Sequence, residues 1–299
     1  MNKQRVRDVL IGSLLGDAIT LPAHWIYNSA KIVRDYQKID KIISPIDNKY
    51  HGQKNKGDFT HYGDQTYLLL KHVVHNKDFL LEEYFNDWLK IWEHPEVYKD
   101  KATKETIANF NNGQLAGVSG SSSDDISAAG RVSPLLYLLE DKSQKEIIDY
   151  AVNQAMMTHN HQHVIDSTKF FISIALAVLD GQDIFLAILD YPYSNYETPL
   201  EDWISQAEDL LEMETTAAMR ELGLTCHTKD AFPAIMYIVM KYADNLGEAL
   251  VQNTMAGGDS AARGLIVGML LAAKQGLDGL TSSWIQDLSV VKELDLLLP

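Results

Sequence analysis

The feature that most constrains the fold of this chain is the spacing of its apolar residues, which recur every three to four positions along most of the sequence. This spacing marks one face of an α-helix, whereas a half-buried strand alternates apolar and polar residues. The segment HVIDSTKFFISIALAVLD at 163–180 is typical, and Gly181 follows its last turn, as at many helix C-termini. No alternating apolar runs flank an Asn-Gly or Asp-Gly pair, the signature of a β-hairpin. We therefore expect an all-α fold.

The periodic segments divide the chain into a dozen expected helices. Residues 44–64 and 117–125 are the two most loop-rich stretches, and neither reads as a linker because each is short and flanked by apolar helices. We expect one domain spanning residues 1–299, a single-domain orthogonal bundle of a dozen or more helices; the alternative is two helical subdomains that meet near residue 190, at YPYSNYETP. The expected helices span residues 3–21, 65–76, 81–92, 101–114, 126–140, 144–158, 163–180, 199–220, 231–243, 246–254, 260–275 and 288–297.

Charge limits the partners of this chain. It has 26 Lys and Arg against 41 Asp and Glu, which gives a net charge of −15. Such a charge repels nucleic-acid phosphates and anionic membranes. The sequence therefore predicts neither partner, although a local site can still bind a small anion. No uninterrupted apolar run approaches the about 20 residues of a membrane helix, and the sequence makes no prediction of oligomeric state.

The N-terminus resembles a secretory signal only in part. Arg5 and Arg7 precede an apolar stretch, but Asp8 and Asp17 interrupt it. Cys226 is the only cysteine, so no intrachain disulfide can form, which fits a reducing compartment. We therefore expect a cytoplasmic protein in which Cys226 is a small buried residue rather than a nucleophile.

Acidic residues recur where a loop with small residues opens a helix. Asp64 and Asp259 each follow a glycine at such a corner, where a carboxylate can accept backbone N–H groups as an N-cap. Alternatively, such corners gather carboxylates around a hard cation or present N–H groups to an anion. The glycines would allow close backbone approach or a positive φ. Four corners share this shape: LLGDAI at 14–19, HYGDQTYLLL at 61–70, SSSDDISAAGRVSPL at 121–135 and GGDSAARGLIVGMLL at 257–271.

Histidine and arginine side chains supply further candidates. His24, beside Trp25, is suited either to line a pocket that stacks a base or sugar or to pack in the core. Arg131 can hold a phosphate or pair with Asp124 or Asp125.

The segment THNHQH places His159, His161 and His163 close together in the sequence. Their alternating spacing is not that of a zinc site. We therefore expect solvated or capping histidines here.

The order of these motifs carries a resemblance to a known family. GSLLGDA…P…HWIY, then HYGDQT, SSSDD…GRVSP, TH and GGDSAARG…GMLLAA together resemble the ADP-ribosylglycohydrolase family, and within it the branch that includes the jellyfish J-crystallins and their bacterial relatives. The resemblance spans nearly the whole chain. It implies an all-α fold and, in active members, two Mg²⁺ ions and cleavage of the N- or O-glycosidic bond between ADP-ribose and a side chain.

The resemblance also implies where metal ligands lie. Its first ligand motif falls on Gly63, Asp64, Gln65 and Thr66, and its second on Gly257, Gly258, Asp259, Ser260, Ala261 and Ala262. Gln65 and Ala261 stand where the family has aspartates, Ala262 where it has a threonine, and His24 at the position of a glutamate. Since Mg²⁺ sites use at least one or two carboxylates each, we expect at most one weakly bound Mg²⁺, at Asp64, Thr66 and Asp259.

Arg263 lies one helical turn after Asp259. It either supplies a fixed positive charge near Asp64 and Asp259, where the family has a metal, or points to the surface.

We interpret the chain as a hydrolase of ADP-ribosyl or related ribosyl glycosidic bonds, with water as nucleophile and a small-molecule or protein-linked ADP-ribosyl substrate. Asp64 and Asp259 would form its catalytic centre. Asp124 or Asp125 would move protons or stabilise an oxocarbenium-like state, unless they lie in a solvated loop. The alternative is a protein that binds an ADP-ribose-like nucleotide without turnover or has a structural role, as in the J-crystallins. The substrate-binding candidates are Asp17, His24, Gln65, Arg131, His159, Ser260 and Arg263.

Overall fold

The all-α fold class is confirmed by the computed structural model, which describes residues 3–46, 51, 53–94 and 97–298. Within these ranges there are sixteen α-helices and no strand. The helices are α1 Lys3–Thr20, α2 Ser29–Tyr36, α3 His61–Asn76, α4 Leu81–Ile91, α5 Lys101–Asn111, α6 Ser127–Gly130, α7 Gln144–Met156, α8 Gln162–Leu179, α9 Ile184–Leu189, α10 Leu200–Glu208, α11 Thr215–Leu222, α12 Thr228–Lys241, α13 Leu246–Ala256, α14 Ser260–Gln275, α15 Ser282–Gln286 and α16 Val291–Leu297. Short 3₁₀ segments span Ala116–Val118, Ser133–Glu140 and Tyr193–Asn195.

Three boundaries differ from the sequence prediction for identifiable reasons. Helix α3 begins at His61 instead of residue 65, because Thr60 caps it by accepting the N–H of Tyr62. The helix expected at 126–140 is the short α6 followed by a 3₁₀ segment that carries Pro134 in its first turn. The helix expected at 199–220 divides into α10 and α11, since Glu214 starts a new helix by accepting two backbone N–H groups. Helices α2, α9 and α15 were not predicted, because each is too short to show a periodic pattern.

Helices α1 and α14 cross with their backbones in direct contact. Gly12 and Gly16 of α1 face Gly268 and Gly264 of α14, so the two helices run antiparallel. A methyl group at Gly16 would lie 2.0 Å from the carbonyl oxygen of Gly264, and one at Gly268 would lie 2.1 Å from that of Gly12. The C-terminal end of α1 is therefore held beside the N-terminal end of α14. This contact brings the first and last acidic corners of the sequence to the same part of the molecule.

The apolar core is continuous from Val9 in α1 to Leu298 near the C-terminus. Helix α8 has the length and composition of a membrane span, with 18 residues and a mean hydropathy of 1.2. However, 61% of that span is buried inside the protein, as expected of a core helix. The membrane-free, single-domain interpretation of residues 1–299 stays a prediction.

Candidate functional site

Three side chains from separate parts of the chain meet at the N-terminus of α14. Asp125, Cys226 and Asp259 each offer a ligand atom, and these atoms all lie within 4.8 Å of one another. We call them the acid–thiol group. Both aspartates are buried, at 8% and 2% exposed, and Cys226 is half-buried. The group therefore places two carboxylates and a thiol in a largely water-excluded position.

Backbone hydrogen bonds fix the three segments that carry the acid–thiol group. The N–H of Asp259 donates to the carbonyl oxygen of Leu224 at 2.8 Å, and that of Ile126 to the carbonyl oxygen of Cys226 at 2.9 Å. The N–H of Thr228 donates to the carbonyl oxygen of Asp124 at 2.9 Å. The segment around Cys226 is thus bonded on both sides to the segments of its two acidic neighbours.

Gly257 and Gly258 allow this approach in the way their sequence position suggested. Both have positive φ, at 75° and 69°, which glycine adopts without a steric cost. A methyl group at Gly258 would lie 2.3 Å from the carbonyl oxygen of Leu224, and one at Gly257 2.2 Å from that of Ile26. Asp259 occupies the N-cap position of α14, as predicted, but its side chain makes no capping hydrogen bond. Its carboxylate is directed to other partners.

Asp125 and Asp259, which we call the acid pair, have hydrogen-bond partners for only some of their carboxylate oxygens. The hydroxyl of Tyr62 lies 3.4 Å from Oδ2 of Asp125 and 3.3 Å from Oδ2 of Asp259, and the indole N–H of Trp25 donates to Oδ2 of Asp259 at 3.0 Å. Oδ1 of Asp125 accepts the N–H of Ser127. Oδ1 of Asp259 is buried and has no hydrogen-bond partner among the residues that the structure describes.

Burial and mutual repulsion change the protonation of the group. The pKa of Asp125 rises to about 7, through burial and then the charge of Asp259. Burial likewise raises the pKa of Asp259, against the opposing effects of the Trp25 hydrogen bond and the Arg263 charge. Burial and the two carboxylates raise the pKa of the Cys226 thiol. Burial and the repulsion between the two acids therefore favour a proton on Asp125 near neutral pH, and the thiol stays neutral.

An aromatic surface lies next to the acid pair. Trp25 stacks on His24 with ring centroids 4.4 Å apart and on His51 at 5.6 Å, and Tyr98 meets it edge-on at 5.0 Å. Trp25 has a positive φ of 67°, which is uncommon for a bulky residue, and two backbone hydrogen bonds between 25–26 and Gly258 hold it. Its indole is partly exposed. Trp25 therefore contacts both the buried Asp259 and solvent.

His24 lies beneath this aromatic surface. It is 3% exposed, and its Nδ1 accepts the N–H of Ala261 at 3.4 Å. This bond places the ring proton on Nε2, which is buried without a partner. Burial, reinforced by neighbouring positive groups, holds the pKa of His24 well below its usual value. His24 thus both packs in the core and contributes a neutral ring to the site.

Asp17 has a capping role at the start of α3. Its carboxylate accepts the N–H of Thr60 at 2.7 Å, the hydroxyl of Thr60 at 2.5 Å and the N–H of Gly63 at 3.2 Å. A methyl group at Gly63 would lie 2.3 Å from Oδ1 of Asp17, so only glycine leaves room for this acid. Burial raises the pKa of Asp17 to about 7, against the effect of its hydrogen bonds. Every oxygen of this carboxylate has a partner.

The prediction that Asp64 caps α3 is wrong, since Thr60 is the N-cap and Asp64 lies in the first turn. Its Oδ2 bonds instead with the ammonium group of Lys54 at 2.6 Å, and its side chain is 32% exposed. Burial raises the Asp64 pKa, and the charge of Lys54 opposes that rise. The hydroxyl of Thr66 donates to the carbonyl oxygen of Tyr62. The partner that the structure gives Asp259 is thus Asp125, outside the predicted Asp64–Thr66 pairing.

Gln65, Arg131 and His159 belong to one buried network. Gln65 donates to the carbonyl oxygen of His61, and its Oε1 accepts Trp88 Nε1 at 2.7 Å and Arg131 Nη1. The other end of the guanidinium donates to the hydroxyl of Thr158, which bonds with Nδ1 of His159 at 2.9 Å. Of the two alternatives for Arg131, pairing with Asp124 or Asp125 is therefore wrong, because the guanidinium donates to neutral partners. Burial, then the charge of Arg131, lowers the His159 pKa to about 3.

Arg263 does not point to the surface, so that alternative is wrong. The side chain is fully buried, with Nε donating to Oδ1 of Asn253 at 3.0 Å and Nη2 to the carbonyl oxygen of Gly257. Its Nη1 has no partner, nor has the hydroxyl of the neighbouring Ser260. Arg263 therefore stabilises the glycine corner and places a buried cation within electrostatic range of Asp259.

Asp124 and Asp125 point in different directions. Asp125 joins the acid–thiol group, whereas Asp124 bonds through Oδ1 with Nδ1 of His227 at 2.7 Å and is 29% exposed. Burial raises the Asp124 pKa, but the hydrogen bond and charge of His227 outweigh it, so the net shift is downward. Of the two, Asp125 is the residue placed for chemistry with Asp259.

The three histidines of THNHQH do not share a site. His161 caps α8 by accepting the N–H of His163, which confirms the expected capping role. His163 packs edge-on against Trp203. For His159 the expectation of a solvated or capping histidine is wrong, because the side chain is 2% exposed and bonds with Thr158 in the Arg131 network. Among the described residues, the metal-capable group contains none of them.

The described donors fit one hard cation better than two. Asp125 and Asp259 supply two carboxylates, and the unpartnered Oδ1 of Asp259 is an oxygen ligand of the type that Mg²⁺ prefers. A neutral thiol adds little for Mg²⁺. The predicted ligands Asp64 and Thr66 are already bonded to Lys54 and to a backbone carbonyl. The residues therefore fit a single Mg²⁺ at the acid pair.

Sequence reasoning missed several members of this site. Tyr62 stands two residues before Asp64 in α3, a spacing that puts the two side chains on different faces of a helix, so no helical pattern links them. Cys226 was treated alone, because no motif links residue 226 to residue 125 or 259. Lys54 lies in a polar loop that has no periodic pattern. Only tertiary contacts show these partners.

Comparisons with known proteins give matches that cover nearly the whole length of the chain. The sequence profile described as ADP-ribosylglycohydrolase matches residues 2–298. Crystallin J1A of Tripedalia cystophora is 26% identical, over 98% of this chain and 94% of the relative. Crystallin J1B of the same organism is 25% identical, over 95% and 91%. A solved structure, "ADP-ribosylglycohydrolase-related protein complex", shares the fold with a TM-score of 0.72 at 14% identity, covering 99% of this chain and 96% of that one.

Proposed function

Because its profile match covers nearly the whole chain, this protein belongs to the ADP-ribosylglycohydrolase family, and we propose that it hydrolyses ADP-ribosyl or related ribosyl glycosidic bonds at the acid pair. One observation carries the proposal: two buried carboxylates, Asp125 and Asp259, lie side by side under a shared tyrosine hydroxyl. Burying two like charges together costs free energy and rarely serves stability. Glycoside hydrolysis uses a pair of carboxyl groups.

The acid pair can supply both proton transfer and charge stabilisation. With a proton on Asp125 near neutral pH, the ionised carboxylate can stabilise the positive charge of an oxocarbenium-like state at the ribose. The protonated carboxyl can donate to the leaving group, after which the same group takes a proton from the attacking water. The Tyr62 hydroxyl lies within reach of both acids and can hold the Asp125 proton in place.

Substrate binding is supported by unpartnered donors around the N-terminus of α14. Three donors are buried without hydrogen-bond partners in the described ranges of the chain: the His24 ring N–H, Nη1 of Arg263 and the hydroxyl of Ser260. Such groups gain most from a ligand that satisfies them, and phosphate or ribose oxygens are suitable acceptors. The partly exposed face of Trp25 can stack on a base or sugar. Localised donors can thus bind an anionic substrate in spite of the net charge of −15.

A single Mg²⁺ at Asp125 and Asp259 is part of this proposal. When bound, it would polarise a phosphate or ribose oxygen of the substrate. A weak affinity is expected because the described part of the chain supplies two carboxylates at this position and Asp64 is already neutralised by Lys54.

Binding without turnover, or a structural role as the names of the crystallin relatives suggest, is the second candidate function. It is favoured by the engagement of Asp64 with Lys54 and of Arg131 with Gln65 and Thr158. Asp64 and Arg131, two of the predicted site residues, are thus already bonded to groups of the protein itself.

One experiment separates the two functions. The protein is incubated with ADP-ribosyl-arginine and ADP-ribosyl-serine substrates, with and without Mg²⁺, and ADP-ribose release and thermal stability are both measured. Release that is lost in Asp259→Asn and kept in Asp183→Asn, a surface N-cap exchange of the same type, supports the hydrolase. A rise in Tm without release supports the binder, and no response to either substrate would overturn both the hydrolase and the binder for these substrates and favour the structural role.

A further inference from the structure

We infer that Asp125, Cys226 and Asp259 form a binding site for one thiophilic divalent cation, such as Zn²⁺ or Co²⁺, which competes with Mg²⁺ for the acid pair and so inhibits hydrolysis there; the inhibition, unlike the binding, rests on the proposed function. The three ligand atoms lie within 4.8 Å of one another. In a tetrahedral zinc site, with bonds of about 2.0–2.3 Å, ligand atoms are roughly 3.5 Å apart. Small side-chain rotations thus bring the three atoms onto a common ion, and a water completes the shell.

An independent observation points to a ligand at this position. Asp259 is 2% exposed, yet none of the described residues donates a hydrogen bond to its Oδ1. A buried carboxylate oxygen without a partner is costly, and a cation removes that cost. The group is therefore not a set of surface acids gathered by chance.

The ligands are positioned before any metal binds. Backbone bonds join the Cys226 segment to those of Asp125 and Asp259. The N–H of Ser127 orients Asp125, and Trp25 and Tyr62 orient Asp259. Outer hydrogen bonds of this kind set ligand geometry in metal sites.

Cys226 decides which class of metal the group prefers. A hard ion such as Mg²⁺ gains little from sulfur, whereas Zn²⁺ and Co²⁺ bind thiolate strongly. On binding, the Sγ–H bond breaks and sulfur donates its electron pair to the metal, with no change of oxidation state. The thiol proton and the proton held by the acid pair both pass to solvent. Asp125, Asp259 and the thiolate then carry three negative charges against the two of the ion, and the buried Arg263 lies near enough to offset the excess. A bound thiophilic ion would occupy the carboxylates on which the proposed hydrolysis depends.

The test uses the fact that Cys226 is the only cysteine of the chain. Co²⁺ is titrated into full-length, chelator-treated protein, and the thiolate-to-cobalt charge-transfer absorption is followed in the near ultraviolet. We expect a band that saturates at one equivalent, is lost in Cys226→Ser and Asp259→Asn, and is removed by Zn²⁺ but not by Mg²⁺ at the same concentration. Circular dichroism and Tm confirm that each variant is folded, and Cys226→Ala replaces the serine variant if that one fails to fold.

Three results would overturn the inference: no band in the wild type, a band of unchanged affinity in Asp259→Asn, or saturation at half an equivalent, which would mean that two chains share the ion. The absorption needs no turnover. Release is measured on cobalt-free protein supplied with Mg²⁺, because a bound thiophilic ion is expected to inhibit it. Release there without a band on Co²⁺ titration would reject this site alone, and a band without release by the cobalt-free protein would reject the proposed hydrolysis alone.

Discussion

Two acidic corners lie close together in this fold, and they treat their carboxylates in opposite ways. At the start of α3, Asp17 accepts three hydrogen bonds and Asp64 bonds with Lys54. At the start of α14, Asp125 and Asp259 repel each other and one oxygen has no partner. Both corners have glycines, acids and a helix start, so the motif alone does not separate them. What separates them is whether the protein itself supplies the donors, because an acid with its own donors stabilises the fold and one without them is available to a ligand.

The largest expected effect is on turnover at the α14 corner. Asp259→Asn removes one member of the acid pair and should lower the rate of ADP-ribose release by about 10²–10⁴-fold, the usual contribution of a positioned acid or base. Steady-state kinetics on the better ADP-ribosyl substrate measures this. Unchanged kinetics would show that the contrast between the corners has no catalytic meaning.

The next effect is on stability at the α3 corner. Asp17→Ala leaves the N–H and hydroxyl of Thr60 and the N–H of Gly63 buried without an acceptor, which should lower the free energy of unfolding by about 3 kcal/mol. Urea unfolding at pH 6 is the measurement, with the exposed exchange Asp149→Ala as control. The folded pKa of Asp17 is raised to about 7, so at pH 8 the wild type is destabilised by an ionised buried acid. The loss of unfolding free energy in Asp17→Ala should therefore be smaller at pH 8 than at pH 6. A loss no larger than that of the control would assign Asp17 to binding instead.

The scaffold between the corners is tested by Gly264→Ala. Its methyl group would lie 2.1 Å from the carbonyl oxygen of Gly16, so α1 and α14 must separate. Overpacking of this kind costs about 1–3 kcal/mol. Gly247→Ala is the matched control, since its nearest neighbour lies at 3.4 Å. Equal Tm values for the two variants would show that the helix contact tolerates extra volume.

A smaller effect of opposite sign is expected for Asp125→Asn. A folded pKa of about 7 against an ordinary value of 3.8 means that ionised Asp125 destabilises the fold, a penalty present above pH 7 that disappears as pH falls toward 4. The variant should therefore be more stable than the wild type at pH 8, by on the order of 1 kcal/mol, and lose this advantage at pH 5. Urea unfolding at pH 8 and at pH 5 measures this difference. Asp17 titrates in both the wild type and the variant, so its contribution cancels in the comparison. A stability difference that does not vary with pH would argue against a repelling pair.

The smallest effect is expected at Lys54. Its bond with Asp64 is partly exposed, at 28% and 32%, and such pairs contribute about 0.2–1 kcal/mol. Lys54→Met should change the urea midpoint as little as Lys145→Met, which breaks a surface pair on α7. A loss well above that of the surface pair would mean that this corner also depends on a fixed cation.

The sequence was enough to predict the fold class and most helices, because apolar periodicity is a local property that each long helix carries in full. It also predicted that Asp259 begins α14 and that its two glycines allow close approach. It misplaced the cap of α3, since Thr60 and Asp64 are both suitable residues and only packing against Asp17 decides between them. Cys226 and Tyr62 were missed because their roles depend on partners far away in the sequence. The direction of Arg263 was left open for the same reason.

The glycine contact between α1 and α14 has a consequence for mutational tolerance. Direct contact between the backbones of α1 and α14 sets the distance between the two corners, so this distance does not depend on which side chains occupy the site. In a library of single substitutions selected only for soluble expression, Gly12, Gly16, Gly264 and Gly268 should therefore be nearly invariant, while Asp125 and Asp259 accept many replacements. Such a fold can lose or change its active-site residues and still keep its structure. A lineage selected only for a stable protein can retain the glycines while Asp125 and Asp259 are substituted.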